Sequence, residues 1–305
     1  MMQTDQVLQR GFNARALAWV MQVDRIFLFR ELFVALAMIL VISGLALAQT
    51  PANRIKGTNS NGSGAAISSS STGAEARTII GETKQLGNGT ARSWLRVDAN
   101  GNPTAVGVTF TEEALATVPK EPPPGQEGIA ISLALPAEAA STPFKHIGLG
   151  WNPHGHEPEK IYDVAHLDFH FYMISEQERN AISIDGDGLA RVMKAPAGEF
   201  VPQGYIQVPN AAVPKMGSHW INPLSQEFNG QPFSKTFLYG SNNGRLIFAE
   251  PMITRAFFEA KTNLTEAINL PAQYQQRGYY PTKYSVRYDA ATKEYTVSLE
   301  GMTLR

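Results

Sequence analysis

Arg92-Ser93-Trp94-Leu95-Arg96-Val97, then Asp98-Ala99-Asn100-Gly101-Asn102-Pro103, then residues 104–110 with Val106, Val108 and Phe110 at alternate positions, form the stretch that decides the fold class. Side chains on a strand point to opposite faces in turn, so two β-rich runs flanking an Asn-Gly turn specify a hairpin. The device returns near the C-terminal end: Tyr284, Val286 and Tyr288 alternate, residues 289–293 turn, and Tyr295, Val297 and Leu299 alternate again. Between the two hairpins lie shorter strand candidates at 128–135, 145–150, 166–174, 204–208, 236–239 and 245–249, separated by loops containing Pro and Gly. Many short strands of this kind predict a mainly β protein, an antiparallel sandwich or barrel, with a few short helices.

Three helices are expected. Ser175 followed by Glu178 is a capping box, in which hydroxyl and carboxylate each satisfy a free backbone amide. Glu112 and Glu113 after Thr111 suit the positive end of a helix dipole. A third helix is expected over 253–261. The run Lys120-Glu121-Pro122-Pro123-Pro124-Gly125 is a stiff connection that separates two sub-lobes.

Of 305 residues, 43% are hydrophobic and 17% charged, the profile of a folded protein. Lys and Arg number 26 against 27 Asp and Glu, a formal net charge of −1, and no basic cluster stands out. That balance argues against a nucleic-acid partner, because phosphate recognition rests on clustered Lys and Arg. With no cysteine, disulfides, thiolate-bound zinc, iron–sulfur clusters and thiol nucleophiles are all excluded. Any chemistry falls to histidines, carboxylates, hydroxyls and cations.

Residues 32–48 carry no charge, follow Arg25 and Arg30, and close on Ala46-Leu47-Ala48 before Gln49. A basic flank, an apolar segment and a small-residue site make up a secretory signal peptide, so residues 1–48 are expected to be removed after Ala48. If cleavage fails, the same segment is an anchor at the short end of what spans a bilayer. Within residues 57–73, 14 of 17 are Gly, Ser, Thr or Asn, which makes 49–74 a flexible linker and 75–305 a single β-rich globular domain. The expected location is exported, periplasmic or extracellular, with membrane contact only through the N-terminal segment.

The histidines carry the functional signal, since five of the six fall between His146 and His170. On a strand, His166, Asp168, His170 and Tyr172 share one face while Leu167, Phe169, Phe171 and Met173 share the other. An ionisable face backed by an apolar one is the pattern of a site wall. His156 arrives from a Gly/Pro loop, His219 from Met216-Gly217-Ser218-His219-Trp220, and Glu250 ends the apolar run Leu246-Ile247-Phe248-Ala249-Glu250. The expected ligands of a divalent metal, zinc foremost, are His156, His166, His170 and His219, with Asp168 and Glu250 as catalytic base or orienting groups. Spacing sets one constraint: His166 and His170 stand about 13 Å apart along a straight strand and share an ion only if it bends. His154 is either a ligand or the variable residue beside Gly155, and His146 is a structural residue.

Calcium-loop, phosphate-loop, dinucleotide and nucleophile-elbow patterns are absent. Two functions from different classes fit what remains. One is an exported metal-dependent hydrolase or lyase acting on a small-molecule ligand. The other is a non-catalytic envelope protein that binds or self-associates, as a homo-oligomer, through its His/Asp face.

Taken together, Trp151-Asn152-Pro153-x-Gly155-His156-x-Pro158, His166-x-Asp168-Phe169-His170-Phe171-Tyr172, Met216-Gly217-x-His219 and Phe248-x-Glu250-Pro251-Met252-Ile253-Thr254 resemble an uncharacterised exported bacterial family. Its founding member is recognised mainly from a sigma-E/anti-sigma-E envelope-stress regulon. The resemblance spans roughly residues 75 to 260 and implies a shared site at His156, His166, Asp168, His170, His219 and Glu250, without an activity. Asn222 stands where the resemblance leads one to expect an acidic residue.

Overall fold

The computed structural model describes residues 75–305. The expected signal peptide and linker lie outside the described residues. In chain order the elements are β1 (Arg77–Leu86), β2 (Gly89–Val97), β3 (Pro103–Thr111), α1 (Glu112–Thr117), β4 (Ile129–Ala134), β5 (His146–Asn152) and β6 (His166–Tyr172). Then come α2 (Glu176–Asn180), α3 (Gly188–Met193), β7 (Ile206–Val213), β8 (Gly217–Ile221), β9 (Lys235–Asn242), β10 (Arg245–Thr254) and α4 (Arg255–Glu259). The chain closes with β11 (Leu264–Ala267), β12 (Tyr279–Tyr280), β13 (Lys283–Asp289), β14 (Glu294–Glu300) and β15 (Thr303–Leu304).

Both anticipated hairpins form, and they join. The first turns on Gly101, whose φ of +82° favours a residue without a side chain. Asp98 Oδ1 accepts from the Asn100 and Asn102 amides at 2.8 Å each. The second turns on Asp289 and on Lys293, at φ +55°. β3 pairs antiparallel with β14, setting Phe110 against Tyr295, Val108 against Val297 and Val106 against Leu299. The resulting six-stranded sheet has the order β1-β2-β3-β14-β13-β11.

A seven-stranded antiparallel sheet, β4-β5-β6-β10-β9-β8-β7, packs against it. Both sheets are open, so the fold is a sandwich and not a barrel. Between them Phe110 meets Phe169 and Phe258 at centroid distances of 6.1 and 5.2 Å, and Phe237 meets Tyr284 at 5.2 Å. Each such ring, buried from water, contributes about 1.5–3 kcal/mol. The proline-rich connection expected to separate sub-lobes carries the chain from α1, at the end of one sheet, to β4 in the other.

The Ser175 capping box is present, and Thr111 caps α1. The helix expected over 253–261 is shorter, because Ile253 pairs with Leu167 and Thr254 with His166, so the strand runs on and Thr254 becomes the helix cap. β1, β8, β11, α3 and the short strands β12 and β15 were not anticipated. β8 is buried on both faces and gives no alternation, and β11 is only four residues long.

Every residue of β6 is buried. Leu167, Phe169 and Phe171 face the inter-sheet core. The opposite face is covered as well, by a second cluster containing Tyr172, Ile174, Ile182, Val192, Ile247 and Phe248. The ionisable residues of β6 are therefore enclosed, where each charge costs several kcal/mol unless it is compensated. Among the described residues no helix is long and apolar enough to cross a membrane.

Candidate metal centre

β6 lies between β5 and β10, and the register of the two ladders builds the site. On the β5 side Gly148 faces His170 and Gly150 faces Asp168. A Cβ on Gly148 would come within 3.1 Å of the Tyr172 ring, a tight contact this glycine avoids, while one on Gly150 would meet the Asp168 side chain at an ordinary 3.5 Å. On the other side Ala249 pairs with Phe171 and Met252 with Asp168, which puts Glu250 opposite His170.

His156 reaches the strand from the loop that follows β5. Gly155, at φ +75°, has no room for a Cβ, which would sit 2.0 Å from the Tyr162 carbonyl oxygen. The His156 amide then donates to that oxygen at 3.1 Å, folding the imidazole back over β6. His219, on β8, faces Gly240 on β9, which in turn faces Phe248 on β10. A Cβ on Gly240 would strike the Phe248 ring at 2.0 Å, so this glycine lets the ring lie over the intervening strand.

The donor atoms gather in two groups. In the first, His166 Nε2 is 3.1 Å from Asp168 Oδ1, and His156 Nε2 is 3.5 Å from Asp168 Oδ2. In the second, His170 Nε2 is 3.2 Å and His219 Nε2 4.0 Å from the two oxygens of Glu250. Within each group the three donor atoms lie inside 4.8 Å of one another. Ligands about 2.1 Å from a tetrahedral ion stand about 3.4 Å apart, so the spacing in both groups is close to a coordination shell.

The imidazoles of the first group are oriented from behind. His166 Nδ1 donates to the Val164 carbonyl at 2.6 Å and His156 Nδ1 to the Glu157 carbonyl at 2.7 Å. A backbone acceptor on Nδ1 fixes the tautomer and turns the Nε2 lone pair inward, as in zinc-binding histidines. The Asn152 amide donates to Asp168 Oδ2 at 2.7 Å and stands 3.4 Å from His166 Nε2.

Within the two groups, Asp168 Oδ1, His170 Nε2 and Glu250 Oε2 are buried without a hydrogen-bond partner. Burial pushes His170 down to about 3 and His219 to about 4. Burial, with the Asp168 charge nearby, lifts Glu250 well above the usual carboxylate range. Asp168 goes the other way: burial raises it, but His166 and His156 outweigh that and hold it well below. Burial lowers His156, yet its hydrogen bond and attraction to Asp168 prevail and bring it to about 9. In the first group a proton on His156 thus takes the place a cation would fill.

Aromatic rings enclose both groups. Tyr162 and Phe233 stand edge-on to His156 and His166, at 5.9 and 5.4 Å. Tyr172 stacks on His170 at 5.5 Å and Phe248 stands edge-on to it at 4.8 Å. His156 and His219 keep 27% and 18% side-chain exposure, so one ligand of each group borders solvent.

The structure places the six expected residues around β6 but divides them, three to each group, where a single set of four histidines was expected. β6 is regular, and His166 and His170 accordingly belong to different groups. His154 is exposed against Glu121 at 2.7 Å, away from both. His146 stacks on Tyr172 at 4.7 Å, where burial pushes it down to about 4, and it belongs to neither. Asn222 closes a turn, its side chain accepting from the Leu224 amide at 3.0 Å.

Sequence reasoning missed Asn152 and Tyr162. Asn152 stands in the Trp151-Asn152-Pro153 motif, but only the β5–β6 register shows that it reaches Asp168. Tyr162 packs on His156 and donates to Glu227 Oε1 at 3.2 Å, a contact across 65 residues that no local pattern signals.

Residues 98–151 match the TTHB210-like family model, described as hypothetical protein TTHB210. This agrees with the resemblance to an uncharacterised family. The matched span stops at Trp151, before Asn152 and all six candidate ligands. No curated protein and no solved structure matches the chain.

Proposed function

We propose that this chain is an exported metal protein whose group of His156, His166 and Asp168 holds a divalent cation, zinc foremost, and activates a bound water. The observation that carries the reading is the paired backbone acceptors on Nδ1 of His156 and His166, which aim both Nε2 atoms at one carboxylate. Two imidazoles and one carboxylate suit zinc better than calcium or magnesium, which prefer all-oxygen shells. Three protein ligands leave a fourth position for water, whose pKa zinc lowers to about 7. A hydroxide formed there serves hydrolysis or hydration, with a small-molecule substrate reaching it past His156. Export rests on the charge-free segment before Ala48-Gln49 and on the resemblance to an exported family. A place in an envelope-stress response rests on that resemblance alone.

Full enclosure of His166 favours a second reading, in which the ion is structural in a non-catalytic binding or self-associating envelope module. Cobalt substitution separates the two. If the fourth position is open, adding azide to the cobalt protein changes its visible spectrum. An unchanged spectrum supports the structural reading, and failure to take up zinc or cobalt at all overturns both.

A further inference from the structure

His170, His219 and Glu250 come from three different strands, β6, β8 and β10, and share no atom with the group around Asp168. We infer that these three residues form a second divalent-cation site, so that each chain takes two ions. The inference adds to the site proposed above and shares with it only the class of cation. Its first support is unmet bonding capacity. His170 is 4% and Glu250 2% exposed, and both His170 Nε2 and Glu250 Oε2 lack a hydrogen-bond partner. A buried polar atom left unpaired is costly, and His170 Nε2 stands 3.2 Å from the other carboxylate oxygen, Glu250 Oε1, without a hydrogen bond between them.

Its second support is that the two groups cannot merge on one ion. His166 and His170 are four residues apart on a regular strand, about 13 Å along it, too far to share an ion. Asp168 is held on its own side by the Asn152 amide at 2.7 Å and by His166 at 3.1 Å. The third support is how His219 arrives. It stands opposite Gly240 on β9 with its Nε2 4.0 Å from Glu250 Oε2, and the room that glycine leaves is used by the Phe248 ring, 5.5 Å from the His219 ring. Two imidazoles and a carboxylate select a borderline cation of the zinc, cobalt or nickel type.

The test is a zinc count on the purified full chain, stripped with chelator and reloaded with zinc slightly above two equivalents, read by native mass spectrometry and elemental analysis. The His156→Ala and His219→Ala substitutions remove the partly exposed ligand of each group, and circular dichroism confirms that each variant folds. Two ions in the wild type, one in each single variant and none in the double variant are expected. One ion that His219→Ala retains and His156→Ala loses overturns the second site while leaving the first. One ion that either variant loses means a single shared site and also overturns it. One ion lost only in His219→Ala supports the second site and removes the first, and no ion removes both.

Discussion

Glu250 stands opposite His170 across the β6–β10 ladder, its Oε1 3.2 Å from the imidazole Nε2, and both are almost wholly buried. Neither group is comfortable there without a cation. The carboxyl is displaced toward its protonated form and the imidazole toward its neutral one, both by burial.

Glu250→Gln should therefore leave the metal-free protein as stable as the wild type or raise it by about 1 kcal/mol, since a buried carboxyl that resists ionisation costs stability at neutral pH. A group whose folded pKa is raised stabilises below its unfolded value near 4.5 and loses that contribution as pH rises. Zinc-induced stabilisation should fall in the same variant. Thermal melts with and without zinc check both effects, and a large loss in the metal-free protein would count against the assignment.

Stability of the metal-free protein should decline on both sides of about pH 6.5. His156, raised to about 9, contributes fully below 6.5 and loses that contribution as pH climbs through 9, at most about 3 kcal/mol. His170 and His219, lowered to about 3 and 4, act in the opposite sense: the unfolded chain binds protons first as pH falls below 6.5, so stability is lost toward those values. Urea titrations across pH read the profile. His156→Gln should flatten the alkaline limb and spare the acid one.

Asn152→Ala should weaken zinc binding by about 10- to 100-fold, because it removes the donor at 2.7 Å that fixes Asp168 Oδ2. Competition with a coloured chelator measures the change. Binding equal to the wild type would mean that Asp168 is oriented by the histidines alone.

Gly155→Ala should destabilise the fold by about 1–3 kcal/mol, since a positive φ of +75° combines with a Cβ only 2.0 Å from the Tyr162 carbonyl. As the same turn aims His156, zinc affinity at the first group should fall as well. A melt and a zinc titration on one sample test both.

The mature N-terminus should begin at Gln49 when the full-length gene is expressed in a bacterium with an ordinary secretion pathway. Intact-mass measurement of the product checks it. A product retaining residues 32–48 in the membrane fraction would mean that the segment is an anchor.

The two hairpins were legible because each carries its own alternation and its own turn residues, local signals that survive without tertiary information. Thr111, Ser175 and their acidic partners announced helix starts for the same reason. Less legible was the length of β10, where Ile253 and Thr254 read as helix and are strand because β6 pairs with them. His166, Asp168 and His170 were visible as one face of a strand, but the second cover over that face, from residues as distant as Ile182 and Val192, was not. Gly148 and Gly240 gave no signal either, since their contribution is the space they leave for the Tyr172 and Phe248 rings. Residue spacing allowed His166 and His170 to share an ion only on a bent strand, and only the regular strand and its ladder registers show which partner each one has.

The central claim is that a cation joins the His156, His166 and Asp168 donors, and X-ray diffraction at the zinc absorption edge tests it most directly. Crystals of the full chain reloaded with zinc should show an anomalous peak about 2.0–2.2 Å from His156 Nε2, His166 Nε2 and an Asp168 oxygen. The absence of any peak there, with Asp168 bonded instead to a protonated imidazole, would contradict the account.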